Sequence, residues 1–393
     1  MTGLSTRDPR LRRAVVALCL TEITSWGVLY YSLPVAAGTI GRDTGWSYSH
    51  VFTAFSCGLL LSAVAGARVG RLLDRFGPRP VMTVGSLVGV VGLLLVAWAP
   101  NLPIFFVAWL VTGLAQSAAL YPPAFAAITR WYGDARTWPL TIVTLVGGLS
   151  STAFAPLTSL FVEQWGWRSA YLVLAGIYAL VTIPLHAFLL TPPWPGPAHS
   201  TGASGHRREI RSVTASRRFL TLQISLTLTG LAMFAVTINL IPLLTSRGFG
   251  QAAAATVFGL VGVGQVLGRL SFAVLPDGSE PYVRTLTIGA AGVVILAALA
   301  LLPGPAWALV VVAVLAGAVR GAYTLLTATA VSDRWGTRHF GALNGSFNVP
   351  ITAAIALAPA AGALAIDLLG SHTAAAGAFA VLAAVGVALG RRA

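Results

Sequence analysis

Gly66-Ala67-Arg68-Val69-Gly70-Arg71-Leu72-Leu73-Asp74-Arg75-Phe76-Gly77-Pro78-Arg79-Pro80 is the stretch whose reading decides the fold. It crowds four arginines and one aspartate into a turn between two long apolar runs. Gly66 and Gly70 stand four apart and share one helix face, a pattern that lets a second helix approach closely. Asp74 and Arg75 fall where that helix should leave a bilayer.

The rest of the chain agrees with a membrane setting. Hydrophobic residues make up 56% and charged residues 9%, too little polar surface to keep a soluble domain in solution. The 25 basic residues are all arginine, and the net charge of +14 sits in segments between apolar runs, as topology signals do, so nucleic-acid binding is excluded. Cys19 and Cys57 lie inside apolar runs and the six histidines lack ligand spacing, so neither a disulfide nor a metal site is expected. The first apolar run reads as a true span, not a cleaved signal.

A hydrocarbon core about 30 Å thick needs roughly 20 apolar residues per helix. Such runs occur at 14–38, 50–70, 80–99, 103–126, 138–162, 169–191, 219–243, 252–275, 285–303, 306–331, 341–365 and 371–390. Two six-span units are expected, 1–191 and 219–393, joined by a polar linker over 192–218 that opens with Pro192-Pro193-Trp194-Pro195. With the N-terminus inside, alternate segments hold 20 arginines on the inner side against Arg42, Arg168 and Arg247 outside. That bias places both termini in the cytoplasm.

The opening stretch resembles the loop motif of the major facilitator superfamily, whose Gly-x-x-x-Asp-Arg-x-Gly-x-Arg is matched by Gly70, Asp74, Arg75, Gly77 and Arg79. The resemblance implies an all-α integral membrane fold of twelve transmembrane helices in two pseudo-symmetric six-helix bundles around a central cavity, working by alternating access. It also implies a conformational gate. Asp74, held by Arg75, would dock at the start of the eleventh span near Phe340-Gly341, with Gly70 allowing close packing there. A degenerate second copy, Gly264-Gln265-Val266-Leu267-Gly268-Arg269 followed by Asp277, supports an internal duplication. Pro34, Pro122-Pro123, Pro242, Pro350 and Pro359 remove backbone donors inside spans one, four, seven and eleven. Spans one, four and seven line the cavity in the superfamily.

Ionisable groups at membrane depth are costly unless paired or wet, and therefore informative. Glu22 lies roughly 13 Å in from Arg13, Arg269 about 12 Å in from Asp277, and Arg320 near the middle of span ten, at a rise of about 1.5 Å per residue. Two arginines against one glutamate bias the interior positive. A guanidinium fork suits a carboxylate, phosphate or sulfate, so Arg269 and Arg320 are candidate ligands for an anionic substrate and Glu22 a candidate proton-coupling group. The alternative is that Glu22 pairs with one of them as a structural lock.

Thr44-Gly45-Trp46-Ser47 and Gly166-Trp167-Arg168 resemble the monocarboxylate and oxalate-formate branch of the superfamily. In that branch a span-eight arginine is an anion ligand, and Arg269 matches it by position. Gln265 stands where proton-coupled members carry an acid, and Val35 about where they carry a lysine. Tyr31, Tyr121 and Tyr323 combine an apolar ring with a polar tip and are candidate cavity-wall residues, as are Trp26 and Tyr30. Gln116, Gln223, Gln265, Asn239, Asn344 and Asn348 either bond between helices or face substrate, and Asn239, beside the Pro242 bend, is preferred among them.

Gly262-x-Gly264-x-x-x-Gly268 follows no strand and reads as close helix packing, not a dinucleotide loop. Asn344-Gly345-Ser346 lies in a helix near the inner face and is no glycosylation acceptor. The expected protein is thus a carrier of a small organic anion by proton symport or exchange, a monomer, without enzyme activity, cofactor or metal. A proton-coupled drug exporter is the first rival, weakened because Gly147-Gly148 and Pro156 fall short of the full Gly-Pro-x-x-Gly-Gly signature. A membrane sensor is the second, and the chain carries no large soluble extension for signalling.

Overall fold

A computed structural model describes residues 8–194, 211–273, 280–336 and 340–391. Its contacts divide the chain into two compact units, Met1–Ala198 and His199–Ala393. Among the described residues, eleven helical runs are long and apolar enough to cross a membrane. One of them, Thr137–Leu189, has 53 residues, about 80 Å of helix and more than twice a bilayer core. Gly166 breaks it, with φ 75° and ψ 164°. Twelve crossings result.

In the first unit these are α1 (Pro9–Thr44), α2 (Tyr48–Phe76), α3 (Pro78–Trp98), α4 (Leu102–Tyr132), α5 (137–165) and α6 (167–189). In the second they are α7 (217–245), α8 (Gln251–Ala273), α9 (Pro281–Leu301), α10 (Ala306–Thr329), α11 (Phe340–Leu369) and α12 (His372–Gly390).

Local chemistry sets the ends. Asp8, Ser47, Asn101, Ser216 and Ser371 each place a side-chain oxygen on an orphan N–H of the turn that follows. The Thr44-Gly45-Trp46-Ser47 motif is such a turn. Gly45 takes φ 73° to close α1, and Ser47 then caps α2. At the same end of the unit Trp167 Nε1 donates to the Asp43 carboxylate at 2.8 Å, and Arg168 pairs with the same oxygen. The Gly166-Trp167-Arg168 motif therefore clasps the start of α6 to the end of α1.

Of the four helices whose prolines the sequence singles out, α1, α4 and α7 are interrupted near them. In α1 a π-turn occupies Gly27–Tyr31, one turn ahead of Pro34. Gln116 Nε2 donates 2.8 Å to the Leu29 carbonyl there, and Ser32 Oγ donates 2.6 Å to that of Val28. The α4 helix turns extended at Leu120, before Pro122-Pro123. The α7 helix breaks at Asn239, three residues before Pro242. By contrast α11 runs through Pro350 and Pro359 without a break.

The Gly264 and Gly268 pattern is confirmed as close helix packing. A Cβ on Gly268 would sit 1.8 Å from the Ala318 carbonyl oxygen, and one on Gly264 2.0 Å from that of Val314. Gly317 and Gly321 of α10 reciprocate, against Val261 and Gln265 of α8. The two backbones touch along a glycine seam, which only residues without a Cβ permit. The expectation for Gly66 and Gly70 differs: a Cβ at either meets nothing within 4 Å, so no helix of their own unit packs there.

Candidate functional site

Arg320 is 3% exposed in the middle of α10. Its Nη1 donates 3.3 Å to Thr237 Oγ1 on α7, its Cζ lies 4.0 Å from the centroid of the Phe234 ring, and its Nε has no hydrogen-bond partner. Among the described residues it makes no ion pair. The polar surroundings thus consist of one neutral hydroxyl and one aromatic face, which leave most of a guanidinium charge uncompensated in an apolar bundle. Thr237 and Phe234 were not legible in the sequence, because α7 lies some eighty residues upstream and neither residue type stands out there.

Arg269 is likewise buried, on α8, beside Gly268 of the glycine seam, as Arg320 stands beside Gly321. The seam therefore fixes both cation-bearing helices against one another. Gln265 is buried on the same helix as Arg269, and its carbonyl meets Gly321. Asn239 spends its amide N–H groups on the Ala235 carbonyl at 2.8 Å and the Pro359 carbonyl at 3.3 Å, bracing the α7 break against α11, while its Oδ1 has no partner. Tyr323 donates to the Leu226 carbonyl at 2.6 Å and fills the notch left by Gly230. Both residues brace α7, Asn239 against α11 and Tyr323 against α10.

The first unit holds the other candidates. Glu22 is wholly buried on α1, and neither carboxylate oxygen closes a well-formed hydrogen bond among the described residues, the Trp26 indole standing within reach as its one polar neighbour. An unpaired carboxylate in such a place costs several kcal/mol, which a bound proton removes. One turn on, Trp26 packs edge-on to Tyr30 at 5.3 Å and against Tyr121 at 5.1 Å. Tyr31 joins the same aromatic group, 5.0 Å from Tyr30. Tyr121 also bridges to α5, donating 3.3 Å to the Thr144 carbonyl with its ring tip against Gly147.

The candidate gating residues form a knot at the end of the unit opposite the Asp43 clasp. The Asp74 carboxylate pairs with Arg130, at the end of α4, at 3.2 Å. This corrects the expectation that Arg75 holds it. Arg75 is the next residue on the helix, points about 100° away, and lies over the Phe76 ring at 5.0 Å. Trp194 Nε1 donates to the Asp74 carbonyl at 3.1 Å, and Arg130 stacks on the Trp194 ring at 4.6 Å. Gly77 takes φ 83° to turn α2 into α3, and Arg79 donates 2.6 Å to the Ala187 carbonyl on α6. At the matching place in the second unit Arg334, just past α10, bonds Pro281 O and Thr285 Oγ1 at the start of α9, where Arg284 pairs with Asp333 at 3.3 Å. The short echoes Arg130-Trp131 and Arg334-Trp335 are the signal that could have found both. Asp277 and the side chains of Phe340 and Gly341 lie outside the described residues.

Residues 18–306 match the family model described as Major Facilitator Superfamily. Monocarboxylate transporter 13 of Rattus norvegicus is 27% identical over 376 residues, 94% of this chain and 85% of its own length. Monocarboxylate transporter 12-B of Danio rerio is 25% identical over 397 residues, 92% of this chain and 81% of its own. The chain spans a little over half, 57%, of Monocarboxylate transporter 11 of Homo sapiens, at 27% identity over 70% of its own length. Among solved structures, a mutant of the nucleoside transporter NupG superposes with a TM-score of 0.77 at 14% identity, over 97% of this chain and 99% of that one. A bacterial homologue of the human lysosomal transporter Spinster, inward-facing and unoccupied, gives 0.73 at 15%, over 98% and 97%. These two likenesses show the fold alone.

Proposed function

The chain belongs to the major facilitator superfamily, and on that premise we propose that this multi-pass membrane transporter moves a small monocarboxylate-like organic anion across the cytoplasmic membrane. The N- and C-termini face the cytoplasm, on the arginine bias of the connecting segments. The observation that carries the anion is Arg320, a buried cation whose neighbours leave its charge uncompensated. A carboxylate supplies what Thr237 and Phe234 do not, a counter-charge with two acceptor oxygens matched to the guanidinium fork. Arg269, on the helix locked to α10, is the second ligand. The likeness to monocarboxylate transporters supports this substrate class.

Glu22 couples the cycle to protons. Buried and without a well-formed hydrogen bond, it is best carried neutral, and reaching an aqueous side releases its proton. That makes proton symport the preferred mode and anion exchange the second. The knot of Asp74, Arg130 and Trp194, with Gly70, Arg75, Gly77 and Arg79 around it, gates the change of access. Tyr31, Tyr121, Tyr323, Asn239 and Gln265 shape the surroundings of substrate.

A thermal-shift panel on purified protein tests the class, since a ligand that binds the native state raises the melting point. Monocarboxylates are expected to raise it. A rise with lipophilic cations and none with carboxylates overturns the proposal in favour of drug export.

A further inference from the structure

Beneath Glu22 the first unit buries a line of polar side chains from three helices that the transport reading does not use. Tyr178, Thr182 and His186 recur every four residues along one face of α6, and all three are fully buried. Ser86 of α3 and Ser25 of α1, also buried, face them. Ser86 Oγ lies 2.8 Å from His186 Nδ1 and donates to the Met82 carbonyl at 3.0 Å. With the serine proton so committed, His186 donates through Nδ1–H, and its Nε2 is left without a partner. The Tyr178 ring fills the notch at Gly89, where a Cβ would sit 2.6 Å from it. Its hydroxyl stands within reach of Ser25, Ser86 and Thr182 and in the field of Glu22, yet closes no well-formed hydrogen bond.

His186 is three residues from the end of α6 at Leu189, at the end of the unit that carries Asp74, and Tyr178 lies two turns further in on the same helix, about 12 Å at ~1.5 Å per residue. Ser86 meets His186, and Tyr178 reaches Ser86, Ser25 and the field of Glu22, which stands three residues before Ser25 on α1. A bundle held only by packing would fill this line with apolar side chains. Here Glu22 Oε1 and Oε2, Ser25 Oγ, Tyr178 Oη and His186 Nε2 are all buried and unsatisfied. Each is a group that can take or give a proton or hold a water.

We propose that His186, Ser86 and Tyr178 form a proton path through the first unit, linking the aqueous side at the Asp74 end to the carboxyl of Glu22. The path rests on the reading of Glu22 as the coupling group and deepens it. A proton arrives on His186 Nε2 as Nδ1–H passes its own to Ser86 Oγ. The serine proton moves to Tyr178 Oη, and the phenolic proton moves to a Glu22 oxygen. Each group gains one proton and loses one, the imidazole ends neutral as the other tautomer, and a ring turn resets it. The open link at Tyr178 closes by hydroxyl rotation or through one water. The ionisable groups facing the path are few. Cys19 lies one turn before Glu22 on α1, Tyr178 faces it from α6, and Arg79 of α3 stands at the entrance on the Ala187 carbonyl. Thr182 donates to the Tyr178 carbonyl at 2.7 Å and shapes the stripe without being a link.

Infrared spectroscopy of the purified protein, switched from H2O to D2O, tests this without knowledge of the substrate. A protonated carboxyl gives its own C=O band, which shifts as COOH becomes COOD, and Glu22→Gln identifies the band by deleting it. Tyr178→Phe keeps the ring against Gly89 and removes only the hydroxyl, and His186→Gln is an independent cut. Both are expected to retain the band and slow its exchange on the order of a hundredfold. A merely structural network gives the opposite sign, because loosening the bundle admits water and speeds exchange. Unchanged or faster exchange in both variants overturns the path while leaving Glu22 as the coupling group. Absence of the Glu22 band from the wild-type protein overturns both.

Discussion

Replacing Arg320 by methionine separates a substrate ligand from a structural brace, because the two roles predict opposite effects on the empty protein. Methionine keeps the stem's volume and deletes the charge. What the empty protein loses is one long bond to Thr237 at 3.3 Å and the stack on Phe234 at 4.0 Å. A hydrogen bond from a charged group is worth ~1.5–3 kcal/mol and a desolvated cation–π contact about 2 kcal/mol, the bond here being near the weak end. Against these stands the desolvation of a guanidinium 3% exposed, several kcal/mol. The sum is near zero or unfavourable, so Arg320→Met is expected to melt at the wild-type temperature or slightly above. Binding is another matter. A bound carboxylate deprived of its buried partner loses about 3–5 kcal/mol, a drop in affinity of between roughly a hundredfold and several thousandfold. Purified wild type and variant, melted with and without a monocarboxylate, read both quantities. A variant that melts well below wild type yet still responds to the carboxylate refutes the reasoning and makes Arg320 a brace.

Arg269→Ala is expected to abolish carboxylate uptake into vesicles at unchanged protein abundance, and wild-type uptake removes it from the site. Glu22→Gln should lose accumulation driven by a pH gradient while counterflow exchange persists; accumulation equal to wild type speaks against proton coupling. Gly268→Ala places a methyl 1.8 Å from the Ala318 carbonyl oxygen, forcing α8 from α10 at a cost of about 1–3 kcal/mol. A lower melting temperature checks it, with Gly66→Ala, whose Cβ meets open space, as the silent control.

The spans were legible because a bilayer imposes a length on apolar runs, and observed helix ends lie within a few residues of most of those read from hydropathy. Helices one, two and four are the exceptions, each running about six residues past its expected end, helix one on to Thr44 through a π-turn that no residue pattern announces. Glu22, Arg269 and Arg320 were legible because a charge in an apolar run is conspicuous. Their surroundings were not. Thr237, Phe234, Tyr178 and Ser86 are ordinary residues of membrane helices; His186, an ionisable group inside the sixth run, was the visible exception, but only tertiary packing makes it a neighbour of Ser86, one hundred positions away. Asp74 shows the same limit: the motif marks the aspartate but cannot say that the cation across from it comes from Arg130.

The glycine seam carries one more implication. Elements that meet backbone to backbone cannot slide or splay without colliding, so α8 and α10 must travel as a single rigid bar whenever their unit tilts. Arg269 and Arg320 are mounted on that bar, and the gap between them is a gauge set by four glycines. Were both cations to hold the substrate, as proposed, that fixed gauge would sort cargo by length, and a single added methyl on the seam would recalibrate it.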